Sequence, residues 1–359
     1  MKILLAGGGS GGPVSPVLAV AAEIKKEKPR IQFLFVGTRQ GPERQMVKDA
    51  GMEFVSVPAA RWRRFFTLQN LFAPLVLVCG LIKSFYVVYK FRPDIMFSAG
   101  GFVAVPVAWV AKLFGAKIAI HQQDAQIGLA NKLISPFAST ITTAFERTAK
   151  DFYSGSGVFG KLKPKATWVG NPIRPEIFAK SDLAKQVFKL SEDLPILLIL
   201  GGATGSTQIN ALVEKILPEL VKNYQVVHQT GRGKNSIKFQ HPNYQAEELI
   251  AYEEYASLLF LAHAVIARAG LSTIAELSAL GKTAIIIPMP HTHQEANALI
   301  LAQTQSAVVM MREHANPENL LKAATGLKFM PDVSKSLSEN IFKLMPHDAA
   351  TRIASIIIS

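Results

Sequence analysis

The chain has 359 residues, 39 Lys and Arg against 26 Asp and Glu, and a single cysteine. That length suits about two domains. A hydrophobic content of 49% with 18% charged residues excludes a disordered chain, and the lone Cys79 excludes a disulfide framework or a cysteine-based metal centre and fits a reducing compartment. The net charge of +13 leaves nucleic acid, phosphorylated ligands or an anionic membrane surface as partners. The excess is confined to one part of the chain. Residues 1–165 carry 22 basic and 9 acidic side chains, whereas residues 166–359 carry 17 of each. No acid occurs between Phe54 and Pro93, a stretch that contains Arg61, Arg63, Arg64, Lys83, Lys90 and Arg92.

Residues 3–6 form a short apolar run that ends in glycine. The run is too short for the core of a secretion signal, so no cleavable leader is expected. It reads as a strand, followed by a glycine loop and a helix over 16–28. A strand over 32–36, a helix through Arg44, Val47 and Ala50, and a strand over 54–57 come next. Residues 71–88 are the only membrane-span candidate. Pro74, Gly80 and Lys83 interrupt them, and their 18 residues fall short of the roughly 20 apolar residues a span requires. Strands are expected over 95–98, 117–121 and 140–143, and a Gly, Lys and Pro cluster over 160–171 marks a junction. The second part repeats the opening device: an apolar strand over 196–200, a glycine loop, and a helix over 208–223. Strands follow over 225–229, 264–267 and 284–288, and residues 336–359 read as helical, with Leu337, Ile341 and Leu344 at helical spacing.

Short apolar runs alternating with helices specify an α/β chain with buried parallel strands. The repeated unit predicts two doubly wound, Rossmann-like domains facing a cleft, over 1–163 and 164–335. The 336–359 helix is expected to pack back on the first domain.

Gly7, Gly9 and Gly12 satisfy G-x-G-x-x-G between a strand and a helix. Glycines admit a phosphate close to the backbone, and the helix N-terminus supplies N–H groups and partial positive charge. Dinucleotide binding also calls for an acid at the end of the second strand. That strand instead ends Val36-Gly37-Thr38-Arg39, and Arg39 suits only the phosphorylated cofactor, so an NADP-dependent oxidoreductase stays open as an alternative. The second loop, Gly201 to Gly205 with Thr204 and the following Ser206, follows the same phosphate logic. A third feature is Arg268-Ala269-Gly270-Leu271-Ser272-Thr273, with Glu276 one turn on. Arg268 offers a fork matched to phosphate oxygens, Ser272 and Thr273 offer hydroxyl and N–H donors, and Glu276 can accept two vicinal ribose hydroxyls. The competing reading makes Ser272 an N-cap and Glu276 a first-turn carboxylate. His291 and His293 have no Cys or Asp nearby to complete a metal site. With Gln294 and Asn297 they suit sugar hydroxyls better, so no metal or other cofactor is expected. The chain also lacks any Asp-x-Asp.

Arg61-Trp62-Arg63-Arg64-Phe65-Phe66 leads into Leu71, Phe72 and Leu75. This basic and aromatic stretch is more apolar than a base-stacking platform needs, so an anionic membrane surface is favoured and nucleic acid is not.

Taken in order, these blocks resemble the MurG-type peptidoglycan glucosaminyltransferases of glycosyltransferase family 28, inverting enzymes of the GT-B class. The resemblance rests on the Gly7–Gly12 loop, Ser98-Ala99-Gly100-Gly101-Phe102, His121 to Asp124 with Gly128 and Asn131-Lys132, and Gly170-Asn171-Pro172-Ile173-Arg174. Arg268 to Glu276 and Gln294 to Asn297 complete it. It covers nearly the whole chain. It implies transfer of N-acetylglucosamine from UDP-N-acetylglucosamine to the undecaprenyl-linked acceptor lipid I, giving lipid II, by a cytoplasmic enzyme peripheral on the inner membrane face. It implies that Arg268, Ser272 and Thr273 surround the UDP phosphates, that Glu276 holds the ribose, and that backbone near Tyr252 meets the uracil. Gln294, with His293 and Asn297, would meet the sugar, and Arg174, Thr204 and Ser206 would line the donor site. Gly8, Gly9, Ser10, Gly11, Gly12, Phe102 and Asn131 would bind the acceptor. The sequence departs from the family on that side. The family has His at Pro13, and usually Tyr at Phe102, Glu at Gln122, Asn at Asp124 and Ser at Ala203.

Inverting transfer requires a base for the attacking hydroxyl and a site that stabilises departing UDP. Asp124, with His121 beside it, is the expected base. The competing reading makes Asp124 a turn residue. The missing acceptor-side residues also motivate a second alternative, a non-catalytic membrane-associated nucleotide-sugar binder. A UDP-sugar epimerase of the same two-domain class is a third.

Overall fold

The structure is a computed structural model. It describes all residues except 10, 42, 60–67, 155–165 and 203–204, and leaves aside the side chains of 68–73, 153 and 154. The chain divides into two compact units, Met1–Ile173 with Asp348–Ser359, and Arg174–His347.

In the first unit the elements alternate as β1 (Lys2–Ala6), α1 (Val14–Glu27), β2 (Gln32–Gly37), α2 (Glu43–Asp49), β3 (Glu53–Ser56), α3 (Leu68–Phe91), β4 (Ile95–Ser98), α4 (Ala104–Leu113), β5 (Lys117–Gln122), α5 (Leu129–Ile134), β6 (Thr140–Thr143), α6 (Glu146–Ser154) and β7 (Ala166–Trp168). The strands form one parallel sheet in the order β3-β2-β1-β4-β5-β6-β7. Successive side chains along a strand point to opposite faces. Ile3, Leu5, Phe35, Ile95 and Phe97 therefore pack under α1, while Leu4, Leu34, Val36, Met96 and Ile118 pack with residues of α3, α4 and α5.

The second unit runs α7 (Leu183–Val187), β8 (Ile196–Leu200), α8 (Thr207–Leu220), β9 (Gln225–Gln229), β10 (Tyr244–Glu247), α9 (Tyr252–Leu261), β11 (Ala264–Ala267), α10 (Leu271–Leu280), β12 (Ala284–Ile286), α11 (His293–Gln303), β13 (Val308–Val309), α12 (Pro317–Phe329) and α13 (Pro331–Phe342). Its parallel sheet has the order β10-β9-β8-β11-β12-β13. Both sheets start in the middle and wind outward in two directions. In the first, the order reverses between β1 and β4, and in the second between β8 and β11. Loops at the carboxyl ends of such neighbouring strands diverge and leave room for a ligand.

The C-terminal stretch is two helices and not one. α13 stays with the second unit, Pro346 lies in the break, and α14 (Ala349–Ile358) belongs to the first. Ile353, Ala354 and Ile357 of α14 join the core beside Val14 and Val17 of α1, and Lys28 Nζ donates to the Ile358 carbonyl at 3.2 Å.

α3 is longer than the sequence pattern indicates. By length and composition its Pro74–Phe91 stretch can cross a membrane, and 22% of that stretch is buried. Gly80, Ser84, Val87 and Val88 are buried at helical spacing on one face. Leu75, Val78, Ile82, Phe85, Tyr86 and Tyr89 are exposed on the others. A helix docked on a sheet domain by one stripe is held at its surface.

Candidate active site

In the first unit, the loop after β1 and the loop after β4 abut at the switch point. Gly101 has φ +98°, and a Cβ there would stand 3.0 Å from both the N and O of Gly8, so only glycine allows this approach. Beneath Gly8 and Gly9 lies the fully buried Glu43, from the start of α2. Its Oε1 accepts from Gly9 N at 3.3 Å, Thr38 N at 2.7 Å and the Thr38 hydroxyl, and its Oε2 has no partner among the described residues. A side-chain carboxylate thus already engages one N–H of the glycine loop. Pro13 directly precedes α1, where its missing N–H costs no helical bond. Gly8, Gly9, Gly11, Gly12, Phe102 and Asn131 lie in or beside the loops at the carboxyl ends of β1, β4 and β5. Ser10 lies outside the described residues, as do Arg61, Trp62, Arg63, Arg64, Phe65 and Phe66, and the side chains of Leu71 and Phe72.

The expected base pair divides. His121 is fully buried at the end of β5. Its Nδ1 is 3.0 Å from Thr142 Oγ1 and its Nε2 is 3.3 Å from Asn171 Oδ1. Burial pushes it down to about 4. With both nitrogens engaged inside the core, it is a structural imidazole, which corrects the expectation of a catalytic one. Asp124 stands half-buried on the following loop. Gln122 fixes that loop: its amide donates to the carbonyls of Asp124 at 2.9 Å and Gln126 at 3.1 Å, and its Oε1 accepts from Gly128 N and Asn131 Nδ2. A carboxylate at position 122 has no proton for those two carbonyls. Both bonds run to backbone carbonyls, so Gln122 orders this loop whatever side chain stands at 124. Asn131 donates to the His121 carbonyl, and its buried Oδ1 has no partner among the described residues.

His228 is the equivalent buried imidazole of the second unit, set between Tyr244 and Asn210 and also pushed down to about 4 by burial. Each depressed imidazole stays neutral in the folded state and binds a proton on unfolding below about pH 6.5. Their contribution to stability is complete above that pH and falls as pH drops toward about 4, each by up to ~3 kcal/mol. Thermal unfolding between about pH 7 and 4.5 is expected to show this fall. His121→Gln should flatten it, and an unchanged slope would remove the assignment.

In the second unit, Arg268 follows β11 at the switch point. Its Nη1 donates to Gln208 Oε1 at 2.9 Å and to the Ile287 carbonyl at 3.3 Å, while its buried Nε has no partner among the described residues. Burial lowers its pKa, and the guanidinium remains charged. Next to it, α10 opens at Gly270 with no side-chain cap, and the first helical bond runs from Ile274 N to the Gly270 carbonyl. Ser272 is therefore the second helical residue and not an N-cap. The N–H groups of Leu271, Ser272 and Thr273 precede that bond and face outward from the helix end. Glu276 is buried, its Oε1 accepting from Tyr252 at 3.3 Å and its Oε2 from Tyr255 at 2.6 Å. The Arg174 guanidinium lies 4.5 Å from the centre of the Tyr252 ring.

Three residues expected at the donor site already have partners within the protein. Ser206 caps α8, its hydroxyl oxygen accepting from Ile209 N at 3.1 Å. Asn297 is fully buried and donates to the Ala269 carbonyl at 3.1 Å, so it braces the Arg268 loop. Gln294 Oε1 accepts from Met289 N at 3.0 Å and closes the turn through His291, which has φ +58°. His293, beside Gln294, is exposed, and Thr204 lies outside the described residues. Among the described residues no group of three His, Cys, Asp or Glu side chains could hold a metal.

The pattern-based reading missed Gln208, Tyr255, Glu43 and Lys234, whose Nζ donates to the Gly205 carbonyl at 3.2 Å. Only Lys234 carried a signal: Gly231-Arg232-Gly233-Lys234 is a further glycine and basic loop after a strand. The loops meet where a Cβ on Gly205, at φ +69°, would strike the Thr230 carbonyl oxygen.

Two parallel-sheet domains with a loop site at each switch point define a GT-B-type glycosyltransferase fold. The crystal structure of Acinetobacter baumannii MurG superposes with a TM-score of 0.73 at 22% identity, covering 99% of each chain. Residues 3–143 match the glycosyltransferase family 28 N-terminal domain, and residues 196–353 match its C-terminal domain. The UDP-N-acetylglucosamine--N-acetylmuramyl-(pentapeptide) pyrophosphoryl-undecaprenol N-acetylglucosamine transferase of Thermoanaerobacter sp. (strain X514) is 33% identical over the full length of both chains. The protein of the same name from Bacillus subtilis (strain 168) is 30% identical over 99% of each. The chain belongs to glycosyltransferase family 28. That membership sets aside the nicotinamide oxidoreductase.

Proposed function

We propose that this enzyme transfers N-acetylglucosamine from UDP-N-acetylglucosamine to the undecaprenyl-pyrophosphoryl-linked muramyl peptide, as the names of its full-length relatives state for them. The observation that carries the reading is Arg268, whose buried Nε has no partner among the described residues, beside the uncapped start of α10. A guanidinium and a helix N-terminus together stabilise the negative charge that grows on UDP as the sugar–phosphate bond breaks. The acceptor hydroxyl attacks the anomeric carbon from the opposite face and gives its proton to a base. Asp124 fills that role better than His121, because it stands on a braced loop outside the core. Gln294 and His293 are assigned to the sugar, and the loop glycines with Phe102 and Asn131 to the acceptor.

The exposed face of α3 is assigned to an anionic membrane surface at the inner side of the cell membrane. Phe114 joins it, its ring 5.1 Å from that of Phe85 and 6.4 Å from that of Tyr89. Lys83 and Arg92 lie over the rings of Tyr86 and Tyr89 at 5.3 Å each. Aromatic rings with cations over their faces match the headgroup boundary of an anionic bilayer.

Incubation with labelled UDP-N-acetylglucosamine and a short-chain lipid I analogue is expected to give the disaccharide product. UDP-sugar binding without product would leave the non-catalytic binder, and no binding would overturn the assignment. Normal turnover by Asp124→Asn would remove Asp124 as the base.

A further inference from the structure

Resting on the reading of Glu276 as the ribose carboxylate, we infer that Tyr255 is a positioning residue for the donor nucleoside. Its hydroxyl anchors one carboxylate oxygen, while Tyr252 holds the place that a ribose hydroxyl takes on the other. Tyr252 and Tyr255 are three residues apart on α9, so both rings reach the same carboxylate on α10. Their two bonds differ. Tyr255 to Oε2 is 2.6 Å, in the range of a strong O–H to carboxylate bond, whereas Tyr252 to Oε1 is 3.3 Å, beyond the usual range. The longer bond is the easier one to exchange. Tyr252 is also the half-buried ring that Arg174 covers.

A carboxylate that accepts from Tyr255 on one oxygen and from a ribose on the other must be ionised, because only then are both oxygens acceptors alone. Burial works against that and pushes Glu276 up to about 7. The groups opposing burial are the Tyr255 hydroxyl, the Tyr252 hydroxyl and the Arg174 charge. Thr273, on α10 itself, bonds Tyr255, and Glu176 acts on Tyr252. Losing the Tyr255 hydroxyl removes the first of these opposing groups, so Glu276 would take up a proton at a higher pH. Protonated, it would turn one acceptor into a donor and mismatch the diol.

The test is calorimetric binding of UDP and 2′-deoxy-UDP to the full chain from about pH 5.5 to 8.5. Wild type should lose UDP affinity as pH falls through about 7. Tyr255→Phe should move that midpoint up by about one unit and weaken UDP about fivefold at neutral pH. It should also narrow the preference for UDP over 2′-deoxy-UDP and raise the donor KM more than it lowers kcat. Tyr252→Phe frees Oε1 but also removes a group that keeps Glu276 ionised, so it should tighten UDP only well above pH 7, where Glu276 is ionised in both proteins. If Tyr255→Phe does not fold, the wild type supplies the test: the Tyr255 ring resonances should shift through the same midpoint as UDP affinity, and a Tyr255 signal that stays flat across that range overturns the inference. A wild type that binds UDP with an unmoved Tyr255→Phe midpoint overturns this inference alone. A wild type that does not bind UDP overturns the proposed function as well.

Discussion

Replacing Arg268 with alanine is expected to lower kcat/KM for UDP-N-acetylglucosamine by about 10²- to 10³-fold, the usual cost of deleting one preorganised donor to a developing anion. The side chain is held before any ligand arrives. Gln208 and the Ile287 carbonyl fix Nη1, and the buried Nε has no partner among the described residues. A buried donor in that condition is costly unless a ligand or water completes it. The leaving diphosphate gains charge as the reaction proceeds, so part of the loss should appear in kcat and not only in KM. Arg268→Lys should recover little, because an ammonium cannot hold Gln208 and present a second N–H along the same plane. Gln208→Ala, which removes the support and leaves the charge, should fall between wild type and Arg268→Ala. A kcat/KM within about threefold of wild type in a folded Arg268→Ala enzyme would place the diphosphate elsewhere.

Charging the exposed face of α3 is the second large change. Ile82 is 68% exposed and Phe85 54% exposed, so Ile82→Glu with Phe85→Glu should leave the fold intact. Seating each side chain in the bilayer boundary contributes about 1.5–3 kcal/mol, so the pair should reduce partitioning onto phosphatidylglycerol vesicles by ~10²-fold or more. Co-sedimentation measures this directly. Wild-type binding should weaken as salt rises, since Lys83, Lys90 and Arg92 lie on or just beyond the same helix. Unchanged sedimentation of the double variant would move the membrane contact off α3.

The central strands were legible as apolar runs because both faces of a parallel sheet are covered. The strands that escaped notice, β7, β10 and β13, are all at sheet edges. An edge strand is covered less completely and needs no continuous apolar run, and β10 reads Tyr-Gln-Ala-Glu. The glycine loops were legible for a similar local reason: strand, glycines and helix are consecutive in sequence. The division of the last residues between α13 and α14 was not, because which core a helix joins depends on partners hundreds of residues away.

Length, charge distribution and consecutive motifs determined by themselves that this is a two-domain parallel α/β chain, basic in one half, with a loop site opening each half. Short-range patterns decide such features, because strand burial, glycine conformations and helix starts depend on neighbouring residues. Tertiary structure alone decided what each polar side chain is engaged with. It buried His121 between β6 and Asn171, turned Asn297 into a brace, placed Glu43 beneath the glycine loop and set Tyr255 against Glu276. A residue's availability for chemistry depends on which distant groups already satisfy its hydrogen bonds, and sequence spacing does not record those partners.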